Sequence, residues 1–281
     1  RDRLGFTVSI NGNPALLAMT PPTAFGAQAF HHSDIVGALA KGRLPPDANA
    51  ADSLGLASAA LAYDFALPPG GSTNVLVAAP LHGSLGSIAS FASRPYEIRA
   101  AAIRTEWLQR TGPVTIRVPD PAVNNMLRAQ TAYILVNRDG ASLQPGSRNY
   151  NRAWIRDGAI MASALLRMGL PADAMAFVDW YSQRVRADGW VPPILESSGA
   201  INRGFGWDNE YDSQGEFVFS VMECYRFTED RAFLARQWPQ IVRALQYLEK
   251  LRARTLAPGY ADDQPAPERF RRSEEHTSEL Q

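Results

Sequence analysis

The sequence has few of the residues on which several classes of protein depend. A single cysteine among 281 residues excludes an internal disulfide framework and a four-thiolate zinc site. Lys and Arg together number 28, as do Asp and Glu, so there is no basic excess to displace counterions from nucleic acid. No uninterrupted apolar run reaches about 18 residues, the length that predicts a membrane-spanning helix. We therefore expect neither nucleic acid nor a membrane as a partner.

Both ends of the chain have features that predict a fragment. Residue 1 is Arg, and no charged-then-apolar signal segment follows it. Residues 272–281 read Arg-Ser-Glu-Glu-His-Thr-Ser-Glu-Leu-Gln, which resembles the in-frame translation of a sequencing-library adapter. We expect this adapter-like tail to be an artefact outside the fold, and the chain to be truncated at both ends.

Residues 1–82 have the composition of short antiparallel strands joined by loops. Phe6–Ile10 alternates apolar and polar residues, and Asn11-Gly12 then supplies a hairpin turn signal. The segments 61–67 and 73–79 flank a Gly-Gly turn and are predicted to pair as a second hairpin. Short strands with irregular loops favour an antiparallel β-sandwich, and we expect a partial sandwich domain here.

From residue 83 onward the pattern becomes helical. Residues 83–118 are predicted as a partly helical linker, and residues 257–271 as a loop after the last helix. Between them, residues 119–256 predict five helices, over 121–137, 157–168, 171–186, 213–227 and 230–252. Pro239 is expected to open the main part of the last helix at a first-turn position, where its missing N–H costs little.

Two of these helices lack the polar face of a surface helix. Residues 159–166 carry no charge, and residues 217–222 are apolar on every side. A helix that is apolar all round is expected to be buried all round, whereas residues 230–252 have the apolar stripe of a surface helix. Buried helices that alternate with surface helices predict a two-layer helical toroid, with inner helices sheathed by outer ones.

A polar cluster opens each predicted inner helix. Residues 150–158 and 210–214 contain aromatic, acidic and amide side chains together with an arginine, and Trp207 lies nearby: Tyr150, Trp154, Arg156, Asp157, Trp207, Glu210, Asp212 and Gln214. If an outer helix returns the chain between them, the inner helices are parallel and their N-termini meet. Aromatic planes stack on sugar faces, and charged groups bond hydroxyls, so this combination is typical of a carbohydrate site. The alternative is that Asp157 and Asp212 only cap their helices.

These residues carry a resemblance to a known family. Trp-Ile-Arg-Asp-Gly at 154–158, followed by an apolar helix and Asp-Ser-Gln-Gly at 212–215, resembles the six-hairpin (α/α)6 glycosidases. These are the glucoamylase-like glycoside hydrolases and the related glycoside phosphorylases. The resemblance, strongest over residues 119–252, implies a multidomain α and β protein. It would have an N-terminal antiparallel β-sandwich, a helical linker and an incomplete (α/α)6 toroid.

The resemblance also implies an activity and roles for residues. It implies hydrolysis of the glycosidic bonds of an oligosaccharide, with Arg156 and Asp157 binding the hydroxyls of the sugar at the cleavage subsite. Asp212 and Gln214 would line the same subsite. In an inverting enzyme one carboxylic acid protonates the leaving oxygen, and a carboxylate about 6.5–9.5 Å away activates water. The family's acid and base lie on later hairpins, so we expect this fragment to be inactive, with Glu210 as the candidate carboxylate for more than binding.

Two other functions compete with the hydrolase. A glycoside phosphorylase would need a phosphate pocket elsewhere, and a non-catalytic sugar-binding or structural helical module would use the polar clusters for binding or packing. Residues 208–212 look like the start of a calcium loop, but Ser213 stands where that loop needs Gly and Phe219 where it needs Glu. We predict no metal site and no organic cofactor.

Overall fold

The computed structural model describes residues 5–32, 35–80, 94–204 and 210–256. The chain divides into two compact units, Arg1–Ala102 and Ile103–Gln281. Small antiparallel sheets and seven α-helices make the described part a mixed α and β fold, and no sheet within it closes into a barrel. No helix in those ranges combines the length and apolar character needed to span a bilayer.

Short strands occur in both units, and most of the helices lie in the second. The strands are β1 (Phe6–Ile10), β2 (Asn13–Ala18), β3 (Ala24–Gln28), β4 (Ser58–Ala62), β5 (Val77–Ala78), β6 (Arg152–Trp154) and β7 (Ile194–Glu196). The helices are α1 (Ile35–Leu39), α2 (Tyr96–Arg110), α3 (Pro121–Val136), α4 (Ile155–Arg167), α5 (Pro171–Ser182), α6 (Ser213–Thr228) and α7 (Arg231–Leu256). The predicted domain boundaries at residues 82 and 118 stay predictions.

The first predicted hairpin is confirmed. Strands β1 and β2 pair antiparallel, with Phe6 opposite Ala18. The turn between them has φ 51° at Asn11 and φ 78° at Gly12. Two consecutive left-handed residues are what a two-residue type I′ turn requires, and Asn-Gly adopts them at the lowest cost. The turn signal in the sequence was therefore sufficient to locate this pair of strands.

The second predicted hairpin is wrong. A tight turn does form, since the Gly71 N–H donates to the Pro68 carbonyl at 2.8 Å. The flanking segments nevertheless join different sheets: β4 pairs with β3, and β5 pairs with β2. The turn residues fix the local reversal of the chain, but the strand partners are chosen by side-chain burial over longer distances.

Asp52 organises the loop that precedes β4. Its side chain accepts hydrogen bonds from the backbone N–H groups of Phe30 at 2.8 Å, Leu54 at 2.9 Å and Leu56 at 3.2 Å. Donation from Leu56, then from Phe30 and Leu54, holds the pKa of Asp52 below its ordinary value, because these bonds favour the charged carboxylate.

We expect Asp52→Asn to destabilise this loop at neutral pH and to flatten its acid dependence. A carboxyl with a lowered folded pKa contributes its full stability above the unfolded pKa, about 3.9, and loses it as pH falls through the folded pKa. Hydrogen exchange at the Leu54 and Leu56 amides should therefore accelerate in the variant at pH 7. Asp64→Asn, at an exposed position of the same unit, is the control. Equal protection of those amides in wild type and Asp52→Asn would contradict this account.

The core of the second unit is formed by four helices. Helix α4 packs against α5 and α6, α5 also packs against α6, and α6 packs against α7. Large side chains with at most 1% exposure come from all four helices and from the segments beside them: Leu143, Ile155, Leu165, Phe177, Tyr181, Leu195, Phe217 and Phe233. The five predicted helices correspond to α3–α7, with ends shifted by a few residues.

Pro239 does not begin a helix, so that expectation is wrong. Helix α7 is continuous through it, from Arg231 to Leu256. Proline removes one N–H and crowds the carbonyl four residues earlier, which disfavours a helix interior. Buried residues on both sides, Phe233 before it and Ile241 after it, tie both halves of the helix to one core. Tertiary packing therefore outweighs the local cost of the proline.

The expectation that α4 and α6 are buried all round is also wrong. Ile160 on α4 is 64% exposed and Phe219 on α6 is 40% exposed. On α4 the buried residues are Ile155, Gly158, Ala159, Ala162, Leu165 and Leu166. An apolar helix can be buried on every side only if other elements pack against each side. No described element covers the sides of α4 and α6 that carry Ile160 and Phe219.

Candidate functional site

Helices α4 and α6 begin side by side, as the sequence predicted. Arg156, in the first turn of α4, donates from Nε to Asp212 Oδ2 at 2.6 Å and from Nη2 to Glu210 Oε2 at 3.0 Å. Later in both helices, the Ser163 hydroxyl donates to Glu223 Oε2 at 3.0 Å. Residues at the start of α4 therefore contact residues at the start of α6, and residues farther along α4 contact residues farther along α6. The two helices are parallel and their N-termini meet.

A short sheet anchors the start of α4. Strand β6 runs directly into the helix and pairs antiparallel with β7, with Trp154 opposite Ile194. The Ile155 N–H then donates to the Pro193 carbonyl at 3.0 Å. The buried Tyr181 hydroxyl donates to the neighbouring Pro192 carbonyl at 2.6 Å. These bonds fix the backbone at the start of α4, and Arg156 follows directly in its first turn.

Asp212 does not act as a helix cap. It occupies the N-cap position of α6, yet its side chain makes no cap hydrogen bond and instead accepts from Arg156. Asp157 lies inside the first turn of α4, where the N-cap residue is Trp154. A first-turn carboxylate is stabilised by the helix dipole without capping. The interpretation that both aspartates only cap their helices is therefore wrong.

Two aromatic rings lie just before α4. Tyr150 is exposed and Trp154 is partly buried. Their ring centroids are 5.8 Å apart, with planes inclined at 41°. The Arg152 guanidinium carbon lies 5.9 Å from the centroid of the Trp154 ring. The exposed Tyr150 ring and the partly buried Trp154 ring offer apolar faces on which a ring-shaped polar ligand can stack.

Glu216 belongs to the same site, and sequence reasoning missed it. It lies one helical turn after Asp212, and its carboxyl interacts electrostatically with Asp212 and Arg156. Burial raises the pKa of Glu216, and the Asp212 charge raises it further, against the opposing effect of Arg156. The i, i+4 spacing of the two acids was the available signal. We call Arg156, Glu210, Asp212 and Glu216 the Arg156 cluster.

The remaining predicted site residues differ in how the structure places them. Asp157 is partly buried in the first turn of α4. Gln214 is buried, with 1% exposure, and its Oε1 has no hydrogen-bond partner among the described residues. Trp207 lies outside the described residues. The structure thus brings Arg156, Glu210 and Asp212 into direct contact.

The described part of the chain offers no constellation for a metal ion. No group of three or more His, Cys, Asp or Glu side chains with metal-binding geometry occurs in residues 5–32, 35–80, 94–204 and 210–256. Asp208, the first residue of the calcium-like segment, lies outside these ranges. The Arg156 cluster itself presents three carboxyl groups and one guanidinium, which can form hydrogen bonds and exchange protons.

Comparison with known proteins assigns no family to this chain. No protein-family model, no curated protein and no solved structure matches it.

Proposed function

We propose that this protein is a carbohydrate-active enzyme, a glycoside hydrolase of the glucoamylase-like (α/α)6 type, and that the Arg156 cluster binds its oligosaccharide substrate. The observation that carries the proposal is the pair of bonds from Arg156 to Glu210 and Asp212. They join two helix N-termini into one polar site. In this proposal α3–α7 are part of a two-layer toroid, and the sheets of the first unit are part of a β-sandwich.

The helix arrangement supports the toroid. Helices α4 and α6 run parallel and in contact, and α5 returns the chain between them while packing against both. This is the arrangement expected of two inner helices with an outer helix between them. Helix α7 packs against α6 as the next outer helix would.

The chemistry of the site suits a sugar. Carboxylates accept and a guanidinium donates charge-assisted hydrogen bonds, which are about twice as strong as neutral ones. Tyr150 and Trp154 supply apolar faces for the C–H surface of a pyranose ring. In the proposed complex Arg156 and Asp157 bind hydroxyls, and Asp212, Gln214 and Trp207 line the same subsite.

The proposed reaction is hydrolysis with inversion. A carboxylic acid protonates the glycosidic oxygen while a carboxylate about 6.5–9.5 Å away removes a proton from the attacking water. Glu210 accepts a hydrogen bond from Arg156, so in this proposal its carboxylate positions the guanidinium that binds the sugar. That observation favours, as a second candidate function, a sugar-binding module without catalysis.

We expect the full chain to bind a neutral trisaccharide, and Asp157→Asn to bind it at least about tenfold more weakly. A hydrogen bond to a charged group is worth about 1.5–3 kcal/mol, and each 1.4 kcal/mol is tenfold in affinity. Calorimetric titration with maltotriose, isomaltotriose, cellotriose, laminaritriose and a basic iminosugar provides the measurement.

The control for this titration is Glu249→Gln, on the exposed surface of α7. It should bind like the wild type. Equal affinity in wild type and Asp157→Asn would remove Asp157 from the site. Hydrolysis of a trisaccharide that is lost in Glu210→Gln would decide for the enzyme over the binding module.

A further inference from the structure

Tyr181, in the last turn of α5, is a buried tyrosine whose hydroxyl contacts the main chain of another segment. Its side chain has no exposed surface. The hydroxyl donates to the Pro192 carbonyl oxygen at 2.6 Å and lies 3.2 Å from the Pro193 carbonyl oxygen. Buried carbonyl groups need hydrogen-bond partners, and this hydroxyl supplies one. The two contacts therefore fix the Pro192–Pro193 backbone relative to α5.

The same backbone is connected to the start of α4. The Pro193 carbonyl accepts the Ile155 N–H at 3.0 Å. Ile155 is the first residue of α4, and Arg156 follows it. A carbonyl oxygen has two lone pairs, so the Tyr181 hydroxyl and the Ile155 N–H can both approach it. One carbonyl oxygen thus links Tyr181 to the residue that precedes Arg156.

We propose that Tyr181 is a positioning residue of the carbohydrate site. Its buried hydroxyl holds the Pro192–Pro193 backbone and so fixes the place where α4 begins. The start of α4 in turn determines where the Arg156 guanidinium meets its two carboxylates. This inference rests on the proposed function, because it assigns a role within the same site. Tyr181 acts through the backbone and does not touch the sugar.

Tyr181 also lies near one of the carboxylates that Arg156 contacts. Burial, and then the negative charge of Glu210, raise the pKa of the Tyr181 phenol above its ordinary value. The hydroxyl therefore keeps its proton and remains a donor at neutral pH. Glu210 accepts from Arg156 Nη2 at 3.0 Å. Tyr181 is thus close to both sides of this contact, through Pro193 on the α4 side and through Glu210 on the other.

Packing around Tyr181 makes its position well defined. Phe177, one turn earlier on α5, has its ring centroid 5.5 Å from that of Tyr181. Phe177 packs against the first turn of α4, since its Cε1 lies 2.6 Å from where a Cβ atom at Gly158 would be. Close-packed interiors transmit small displacements to their neighbours. Loss of the Tyr181 hydroxyl bond should therefore be felt at the start of α4.

Tyr181→Phe is the smallest change that tests this role, because it removes the hydroxyl and keeps the ring. In NMR spectra of the free full chain, the Arg156 Nε–Hε signal should shift from its wild-type position. The Ile155 amide should exchange faster with solvent, because its acceptor carbonyl is less well held. An Arg156 signal at the same position in wild type and Tyr181→Phe would overturn the proposal.

Two controls distinguish positioning from a general loss of stability. Thr131→Val removes another buried hydroxyl, which donates to the Leu127 carbonyl of its own helix at 3.3 Å. Phe233→Leu opens a gap in the core near the start of α7, beyond the C-terminal end of α6, and should lower the urea midpoint. Both should leave the Arg156 signal at its wild-type position. Shifts in Phe233→Leu as large as those in Tyr181→Phe would contradict a specific role for Tyr181.

Sugar affinity is the second measurement. Tyr181→Phe should bind the best of the four trisaccharides about threefold to tenfold more weakly, since a displaced guanidinium loses part of a charge-assisted bond. Phe233→Leu should bind it like the wild type. Wild-type affinity in Tyr181→Phe would overturn the proposal. Failure of every trisaccharide to bind the wild type would contradict the proposed function alone, because the Arg156 signal in the free protein still tests the positioning.

A measurement on the wild type covers the case in which Tyr181→Phe does not fold. The Tyr181 hydroxyl proton is buried and hydrogen-bonded, so it should exchange slowly with water. It should also show a nuclear Overhauser effect to the Ile155 amide proton, because both groups approach the Pro193 carbonyl. A hydroxyl proton in fast exchange, or one without this effect, would overturn the proposal.

Discussion

Replacing Gly158 by alanine should lower the free energy of unfolding by about 1–3 kcal/mol, the usual cost of overpacking a core. Alanine is the better helix former, so helix propensity alone predicts the opposite sign. A Cβ atom at position 158 would lie 2.6 Å from Cε1 and 2.9 Å from Cε2 of Phe177. The Phe177 ring has no exposed surface and is enclosed by the core, so it cannot move aside without opening a gap.

Gly215→Ala is the matched control for this substitution. Gly215 lies in the first turn of α6, and a Cβ atom there would have no heavy atom within 4 Å. This variant should be more stable than the wild type by about 0.5–1 kcal/mol, because alanine loses less backbone freedom on folding. Urea unfolding of the full chain measures both variants. A Gly158→Ala variant as stable as Gly215→Ala would contradict the close packing of α4 on α5.

The expected difference in stability between Gly158→Ala and Gly215→Ala explains why Trp-Ile-Arg-Asp-Gly ends in glycine. The glycine is required because Phe177 of α5 packs where its side chain would be, and no ligand contact has to be invoked. Gly158 thus belongs to the packing that holds α4 in place, and Arg156, two residues earlier, belongs to the Arg156 cluster.

Arg156→Ala should have the largest effect on ligand binding, a loss of at least about a hundredfold in sugar affinity. The substitution removes the charge-assisted hydrogen bonds that the guanidinium donates to sugar hydroxyls in the proposed complex, each worth about 1.5–3 kcal/mol, and it also releases Glu210 and Asp212. The effect on folding should be smaller, about 1–2 kcal/mol, because pairs that keep contact with water contribute little. The side chains of Arg156 and Asp212 are 31% and 41% exposed, so both remain hydrated.

Two further variants make the Arg156 result specific. Arg156→Lys keeps the charge and loses the planar fork that reaches two carboxylates at once, so its affinity should be intermediate. Arg167→Ala removes an arginine that pairs with Glu223 farther along the same two helices. It should cost a similar amount of stability and leave sugar affinity unchanged. Wild-type affinity in Arg156→Ala would exclude this cluster as the binding site.

Local signals in the sequence predicted the features that depend on neighbours along the chain. Asn11-Gly12 located the β1–β2 hairpin, because its left-handed turn is stable before any tertiary contact forms. Helices α3–α7 followed from periodicity and apolar content. The meeting of the α4 and α6 N-termini followed from connectivity, since one returning helix between two others makes them parallel.

Features that depend on distant partners could not be predicted in this way. The strands beside Gly70-Gly71 pair in two different sheets, although the turn is local. The exposure of Ile160 and Phe219 reflects which elements pack against α4 and α6, and apolar composition does not determine that. Glu216 was missed because Arg156, the arginine with which its carboxyl interacts, lies on another helix.

The most direct test of the central claim follows the Nε–Hε signal of Arg156 by NMR during titration of the full chain with the four trisaccharides. The site predicts a saturable shift of this signal with at least one sugar, with shifts in the backbone amides of the first turns of α4 and α6. It predicts no comparable shift for Arg167, on the same helix but away from the cluster. Saturable sugar binding that leaves the Arg156 signal unmoved, or no binding by any of the four sugars, would contradict the claim.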